Sequence, residues 1–494
     1  MHYINVLYST STHWIVIVAG IVLRIAQFLY NRSLTEGEAA LALNIVERSY
    51  LDLLKPLDYF QAAPVGFLFV QRCAVNTFGT AEYALRLFPL VTGIIALFFF
   101  YHCAKRILTK EAIPIALILF AVGDHLIYFS SEVKQYSSDV LCVLLIVTLF
   151  VVLQKNKPAL YYLTYGLVGA VVIWFSHPAI FVFIAGAVVL LFSLIYHKNF
   201  AALLLLCCGA VVAIASFTTN YLVSLAPLSR TTVLLETWHK SFAPFPPTSL
   251  PDVYWYVYVF LRMFTFPVGL SQYELLLGVV AFVFGATYMY RLEQKIITAF
   301  ILSILITLFA SALRLYPFEG RLLLFLTPII ILLVAQGIAF IQSKASIGSP
   351  VVGIALVLIV LVHPILRAGY HVVRPRAPEE LRPVVEYVDA NYREGDVLYI
   401  YYASFNAYQY YAYRFGYKHS HFVGVESRDN WQQYYYDLEK MKGNQRVWVI
   451  MSHIAAWHGV DEEKLFVSYL DMLGKQKDVL RVSGAAAYLY DLKN

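Results

Sequence analysis

Eleven apolar runs, each close to the length of a bilayer crossing, set what this chain can become. They fall at about 13–30, 86–103, 112–128, 139–154, 159–175, 178–196, 201–222, 272–290, 296–313, 321–341 and 350–367, where roughly 20 helical residues cross a hydrocarbon core. Backbone immersed in hydrocarbon has to satisfy its own hydrogen bonds, so runs of this kind become helices. Of the 494 residues, 60% are hydrophobic and only 14% charged, against roughly 25% charged in soluble domains. An ordinary soluble protein is excluded. The net charge of +6 is small, and no basic run marks a nucleic-acid surface. Cys103, Cys142, Cys207 and Cys208 lie within apolar runs and Cys73 stands alone, so neither a disulfide framework nor a metal-type spacing follows. The first run lacks a basic leader and a small-residue cleavage site, so it reads as a retained span.

Basic residues sit in alternate short loops: Lys105, Arg106 and Lys110; Lys155 and Lys157; His197 and Lys198; Arg291 and Lys295; Lys344. Such a bias marks the cytoplasmic side. All five groups share that side if residues 64–79, which carry Gln71, Arg72 and Asn76, lie along the membrane surface as an interfacial helix. The expected protein is therefore a polytopic α-helical membrane protein of about eleven transmembrane helices, in a plasma (bacterial inner) membrane. Its N-terminus is cytoplasmic and its tail extracytoplasmic. Residues 1–369 form the membrane domain, with outer loops at 31–85 and 223–271, and residues 370–494 form a separate outer domain.

That tail is charged and aromatic. Pro378-Glu379-Glu380 opens a helix that Gly395 closes, Val397 to Tyr401 and Val447 to Ile450 read as strands, and Asp461 to Leu473 is helical with Gly474 as its cap. Val479 to Val482 and Ala487 to Tyr490 read as a closing strand pair. The alternation predicts a small α/β domain of about 120 residues. Ser343 to Pro350 reads as a loop.

On this topology the polar motifs gather on the outer face. Glu36 and Glu38, in Thr35-Glu36-Gly37-Glu38 at the membrane edge, are either solvated loop acids or a working site. As a site they supply a carboxylate base or hold a divalent cation. Asp58 and Gln61 follow in the same loop. Glu132, Lys134, Tyr136 and Asp139 crowd one short turn between spans. A polar connector explains them, as does a phosphate held by Lys134 and oriented by the acids. Arg314 and Arg321 flank Tyr316-Pro317-Phe318-Glu319-Gly320. Snorkelling explains either arginine alone, but two around a Pro/Gly turn, against the charge rule, suit a phosphate. His177, before Pro178, reads as a hydrogen-bonded interface histidine or a ligand. The 223–271 loop, with Arg230, Trp238 and His239, could serve as a lid or an acceptor-binding segment. The tyrosines from 399 to 436 read as core or strand aromatics before sugar-stacking rings.

Taken in order, Ser33 to Ala39, Gln61-Ala62-Ala63-Pro64, Tyr83-Ala84-Leu85-Arg86-Leu87-Phe88-Pro89, Glu132 to Asp139 and Tyr316 to Arg321 resemble the GT-C superfamily of membrane glycosyltransferases. Within it the chain is most similar to bacterial relatives of protein O-mannosyltransferases and of the lipid A aminoarabinose transferase (glycosyltransferase family 39-like), over roughly residues 10–345. The family carries an acidic pair in its first outer loop. Gly37 replaces one of its acids here, which leaves Glu36 and Glu38 as alternative bases. The resemblance implies transfer of a sugar from a polyprenyl-phosphate donor to an acceptor hydroxyl, commonly with inversion, on the outer face. The partners it implies are that lipid donor, membrane lipid, and an acceptor that is a glycan, a lipid or a protein. A divalent metal, held by Glu36 and Glu38 if anywhere, stays open.

The chemistry of the residues agrees with this reading. A departing lipid phosphate needs cations, which Lys134, Arg314 and Arg321 supply, and an acceptor hydroxyl needs a base. Asp58, Gln61, Arg86, Glu132, Tyr136, Asp139, His177, Tyr316 and Glu319 are the expected supporting residues. A transporter or flippase of lipid-linked glycans would place charges at span centres within inverted repeats. An O-antigen ligase would use outer arginines on a large outer loop.

Overall fold

The computed structural model describes residues 10–155, 157–226, 232–348, 350–454, 456–457 and 459–493; Arg230 lies outside them. Among the described residues, nine helices are long and apolar enough to cross a membrane: Thr10–Leu29, Glu82–Ile107, Tyr136–Leu153, Ala179–Tyr196, Phe200–Leu225, Leu275–Leu292, Gln294–Ala312, Gly320–Ala345 and Val351–Val373. Two shorter apolar helices, Ala112–Val122 and Leu160–Val172, stand where the other two runs were read. The protein is a polytopic helical membrane protein with a C-terminal α/β domain. Residues 64–79 form the helix Val65–Phe78. Ser343 to Pro350 does not form the expected loop: helix continues to Gly348 and resumes at Pro350, because no residue before Pro350 blocks the helical ladder.

The chain divides into two compact units. One holds residues 1–29, 50–71 and 86–375; the other holds residues 30–49, 72–85 and 376–494. Residues 30–49 and 72–85 thus pack with the tail in a single unit.

In the first unit the most deeply buried element is the span Gly320–Ala345. Its Gly337 and Gly285 of the helix Leu275–Leu292 meet backbone to backbone: a Cβ on Gly337 would strike Ala281, and one on Gly285 would strike Leu333. Small residues at such crossings let helices approach closely where lipid gives no hydrophobic drive.

The second unit is built on a five-stranded sheet. Its strands are β1 (Val397–Ile400), β2 (His421–Val423), β3 (Val447–Ser452), β6 (Lys475–Val482) and β7 (Ala485–Asp491), in the order β2-β1-β3-β7-β6. A separate pair, β4 (Ala456–Trp457) and β5 (Val460–Asp461), lies apart from it. β1 runs parallel to β2 and β3, while β7 is antiparallel to β3 and β6. β3 is buried along its whole length, whereas exposed and half-buried residues make up the edge strand β6, as central and edge positions require. The expected closing strand pair is β6 with β7. Asp461 caps the helix Glu462–Leu473 by accepting from the Lys464 N–H. The helix expected from Pro378 begins at Leu381. Glu379 and Glu380 turn their carboxylates instead to residues 33–36, accepting from Glu36 and Ser33. Of the tyrosine crowd, Tyr399, Tyr401, Tyr408, Tyr410, Tyr411 and Tyr434 are buried.

Candidate active-site residues

In the second unit, the segment Asn31 to Glu38 makes a tight N-terminus for the helix Glu36–Glu47. Thr35 and Glu38 form a capping box. The Glu38 carboxylate also accepts from the Arg32 guanidinium, and the two side chains are 1% and 0% exposed. Glu38 is a buried, fully engaged anion. Glu36 differs. It is only half-buried, and its two oxygens accept the Asn406 and Ala407 N–H groups at 3.1 and 2.9 Å. Those donors open the helix Phe405–Phe415, where unpaired N–H groups and the helix dipole favour an anion. Burial nevertheless raises the Glu36 carboxyl from 4.5 to about 7, the two N–H groups and His453 opposing the shift in part. His453 Nδ1 lies 2.7 Å from Glu379 Oε1, and that bond holds its pKa above the ordinary value. The same Glu379 accepts the Glu36 N–H.

Glu82, absent from the sequence reading, is fully buried. It accepts from Arg382 at 3.0 Å, from the Tyr411 hydroxyl at 3.1 Å, and from Arg414. Arg72 closes the other end of the Glu36–Glu47 helix by donating to the Ile45 and Val46 carbonyls at 2.9 and 2.7 Å.

The first unit holds the cations. Lys134, 7% exposed, donates from Nζ to Gln61 Oε1 at 2.6 Å. Gln61 is presented by a turn in which the Gln61 N–H donates to Asp58 O at 3.3 Å, with Tyr59 and Phe60 between them at φ +59° and +53°. Two bulky residues in left-handed conformation cost about 1–2 kcal/mol each, and strain of this kind concentrates at functional sites. Asp58 itself is exposed. Tyr136 begins the span helix Tyr136–Leu153, and the Arg321 guanidinium sits 5.9 Å from its ring centroid. Glu132 and Tyr128 are within electrostatic reach of Arg321, as Asp139 and Tyr136 are of Tyr316. Gly320, at φ +51° with the Phe266 ring 3.1 Å from where a Cβ would stand, permits the bend that delivers Arg321.

The remaining expected residues have surroundings of their own. Arg314 is exposed at φ +58° in the turn after the helix Gln294–Ala312. Glu319 accepts from Ser241 and pairs with Arg262 at 3.3 Å. His177 Nε2 lies 3.3 Å from Ser224 Oγ, and burial pushes the imidazole down to about 4, which keeps it neutral. Arg86 is 1% exposed. Beside Gly320 opens a cavity of about 450 Å³ lined by Lys240, Trp255, Tyr258, Arg262 and Phe266, so the 223–271 loop does contribute a walled surface.

Among the described residues no group of three His, Cys, Asp or Glu side chains converges on a point. Glu38 faces a guanidinium and Glu36 faces backbone N–H donors, surroundings that suit a carboxylate alone and do not fit a cation.

No family model matches the chain and no curated protein matches it. Solved structures do. ArnT from Cupriavidus metallidurans bound to undecaprenyl phosphate superposes with a TM-score of 0.57 at 12% identity, covering 97% of this chain and 98% of that one. Its apo form gives 0.56 at 13%, with the same coverage. The Archaeoglobus fulgidus oligosaccharyltransferase in complex with Zn and sulfate gives 0.52 at 13%, covering 88% of this chain and 67% of that one. At these identities the likeness is one of fold. The chain shares with ArnT the fold of a polytopic helical membrane protein that carries a C-terminal domain.

Proposed function

We propose that the protein is a glycosyltransferase that takes a sugar from a polyprenyl-phosphate donor and delivers it to an acceptor hydroxyl on the extracytoplasmic side of the membrane. One observation carries this reading: Lys134, anchored by Gln61, and Arg321, poised over Tyr136, stand in one polar cluster at the start of a span. Cations in such a place call for an anion, and the fold is one that in ArnT is found with undecaprenyl phosphate.

In the proposed reaction the acceptor oxygen attacks the anomeric carbon, the bond from that carbon to the phosphate oxygen breaks, and the configuration inverts. The electron pair leaves with the lipid phosphate, whose charge grows by one unit. Lys134 and Arg321 stabilise that growing charge, with Arg314 an outer contact for the donor. Tyr136 and Gln61 orient the two cations. Glu36 takes the acceptor proton: of the two glutamates it is the one partly open, and a pKa near 7 suits a base that must later release the proton. Glu38 holds the loop in shape.

The test is reconstitution in liposomes loaded with lipid extract whose polyprenyl-linked sugars are radiolabelled. The reading expects free polyprenyl phosphate and a labelled product to appear together, and Lys134→Ala or Arg321→Ala to slow both by roughly 10²-fold. Intact labelled lipid crossing the bilayer without cleavage would instead identify a flippase and refute transfer.

A further inference from the structure

The C-terminal domain carries a second recessed surface, remote in sequence from every residue assigned to transfer. It is a cavity of about 750 Å³ lined by Arg428, Asp429, Asn430, Trp431, Gln432, Tyr435 and Tyr469, within the roughly 300–1,000 Å³ of ordinary ligand sites. Its composition is specific. Three half-buried aromatic rings stand among planar polar side chains, an arginine that donates, an aspartate that accepts and two amides that do both, and none of the seven lining residues is aliphatic.

The wall is built in advance. Asn430 donates its N–H to Ser427 O at 3.1 Å, the Ser427 hydroxyl returns to Asn430 O at 3.0 Å, and Trp431 O accepts from Tyr434 N at 3.1 Å. Tyr435 and Tyr469 meet edge to face at 5.4 Å. Arg428 donates from Nε to the Tyr402 hydroxyl at 2.8 Å and lies 3.6 Å from Glu462, so its charge is already answered. The lining therefore offers no unpaired positive charge. The Trp431 indole Nε1–H is shielded from solvent and has no hydrogen-bond partner among the described residues.

We infer that this cavity binds a neutral oligosaccharide: pyranose C–H faces lie on Trp431, Tyr435 and Tyr469, and paired hydroxyls meet Asp429, Asn430 and Gln432. A phosphate-bearing ligand finds here only an arginine that is already paired. A peptide or acyl chain finds no aliphatic pocket. The inference goes beyond the transfer reaction and does not need it, since binding is measured without turnover.

The experiment uses the full chain in nanodiscs, titrated by calorimetry with mannotriose, cellotriose and triacetylchitotriose. At least one is expected to bind with a dissociation constant of about 1 mM or tighter. Trp431→Ala and Tyr469→Ala are each expected to weaken it roughly tenfold. Trp431→Phe, which keeps a smaller ring face, is expected to fall between wild type and alanine. Unchanged thermal unfolding of the Phe variant separates lost binding from lost fold. Failure of all three sugars to bind, or binding that ignores both ring truncations in folded protein, overturns the inference.

Discussion

Glu36 and Glu38 are two residues apart, yet their surroundings divide their work. Removing one partner of a buried pair strands the other charge, at a cost of roughly 3–5 kcal/mol, so Glu38→Ala, which removes the carboxylate that faces buried Arg32, should unfold the second unit or sharply lower its melting temperature. Glu36→Gln should leave the fold intact, because the amide oxygen can still accept from the Ala407 N–H, while transfer is lost; scanning calorimetry beside a transfer assay reads both. A pH profile carries the sign. The Glu36 carboxyl is raised from 4.5 to about 7 in the folded protein. The unfolded chain therefore holds fewer protons over that window, and the stability this group contributes, full below pH 4.5, is lost as pH climbs through 7. As a base the group must be ionised, so transfer should rise through the same window. The expected outcome is activity and melting temperature moving in opposite directions there, with the melting-temperature slope flattened in Glu36→Gln. A base other than Glu36 would leave the activity limb in place in that variant.

Elements were more legible than their pairings. Each apolar run became a helix near its expected bounds, since length and composition alone govern insertion. In the tail, Asp461 and Gly474 mark the helix they flank, and Val447 to Ile450 reads as the strand that β3 forms. Ser343 to Pro350 misled because small polar residues look like a loop but do not stop a helix. Long-range partnerships left no such trace. Glu82 meets Arg382 and Arg414 some three hundred residues later, and no periodicity encodes a contact that distant. The same holds for the cations: Lys134 and Arg321 are legible as phosphate ligands, but Gln61 as the Lys134 anchor and the strained Tyr59-Phe60 turn emerge only from the fold. Backbone contact between helices is equally hidden, although it has a consequence. Gly337→Ala forces a methyl into the Ala281 backbone, where no side chain can swing aside. Overpacking of this kind costs about 1–3 kcal/mol. A thermal shift of the detergent-solubilised variant should show the loss, whereas Gly37→Ala, with nothing within 4 Å of the new methyl, should stay near wild type.

At the scale of the molecule, the membrane spans, the polar cluster at the start of one span and the α/β tail together make sense if the ligand is amphiphilic. Its apolar length stays in lipid and its phosphate meets Lys134 and Arg321. The measurement that bears most directly on this is native mass spectrometry of the protein released from nanodiscs doped with undecaprenyl phosphate. Wild type should retain one lipid phosphate, and Lys134→Ala/Arg321→Ala should lose it while Glu36→Gln keeps it. Equal retention by wild type and the doubly substituted protein, or none by wild type, would contradict the phosphate cradle and the transfer reaction built on it.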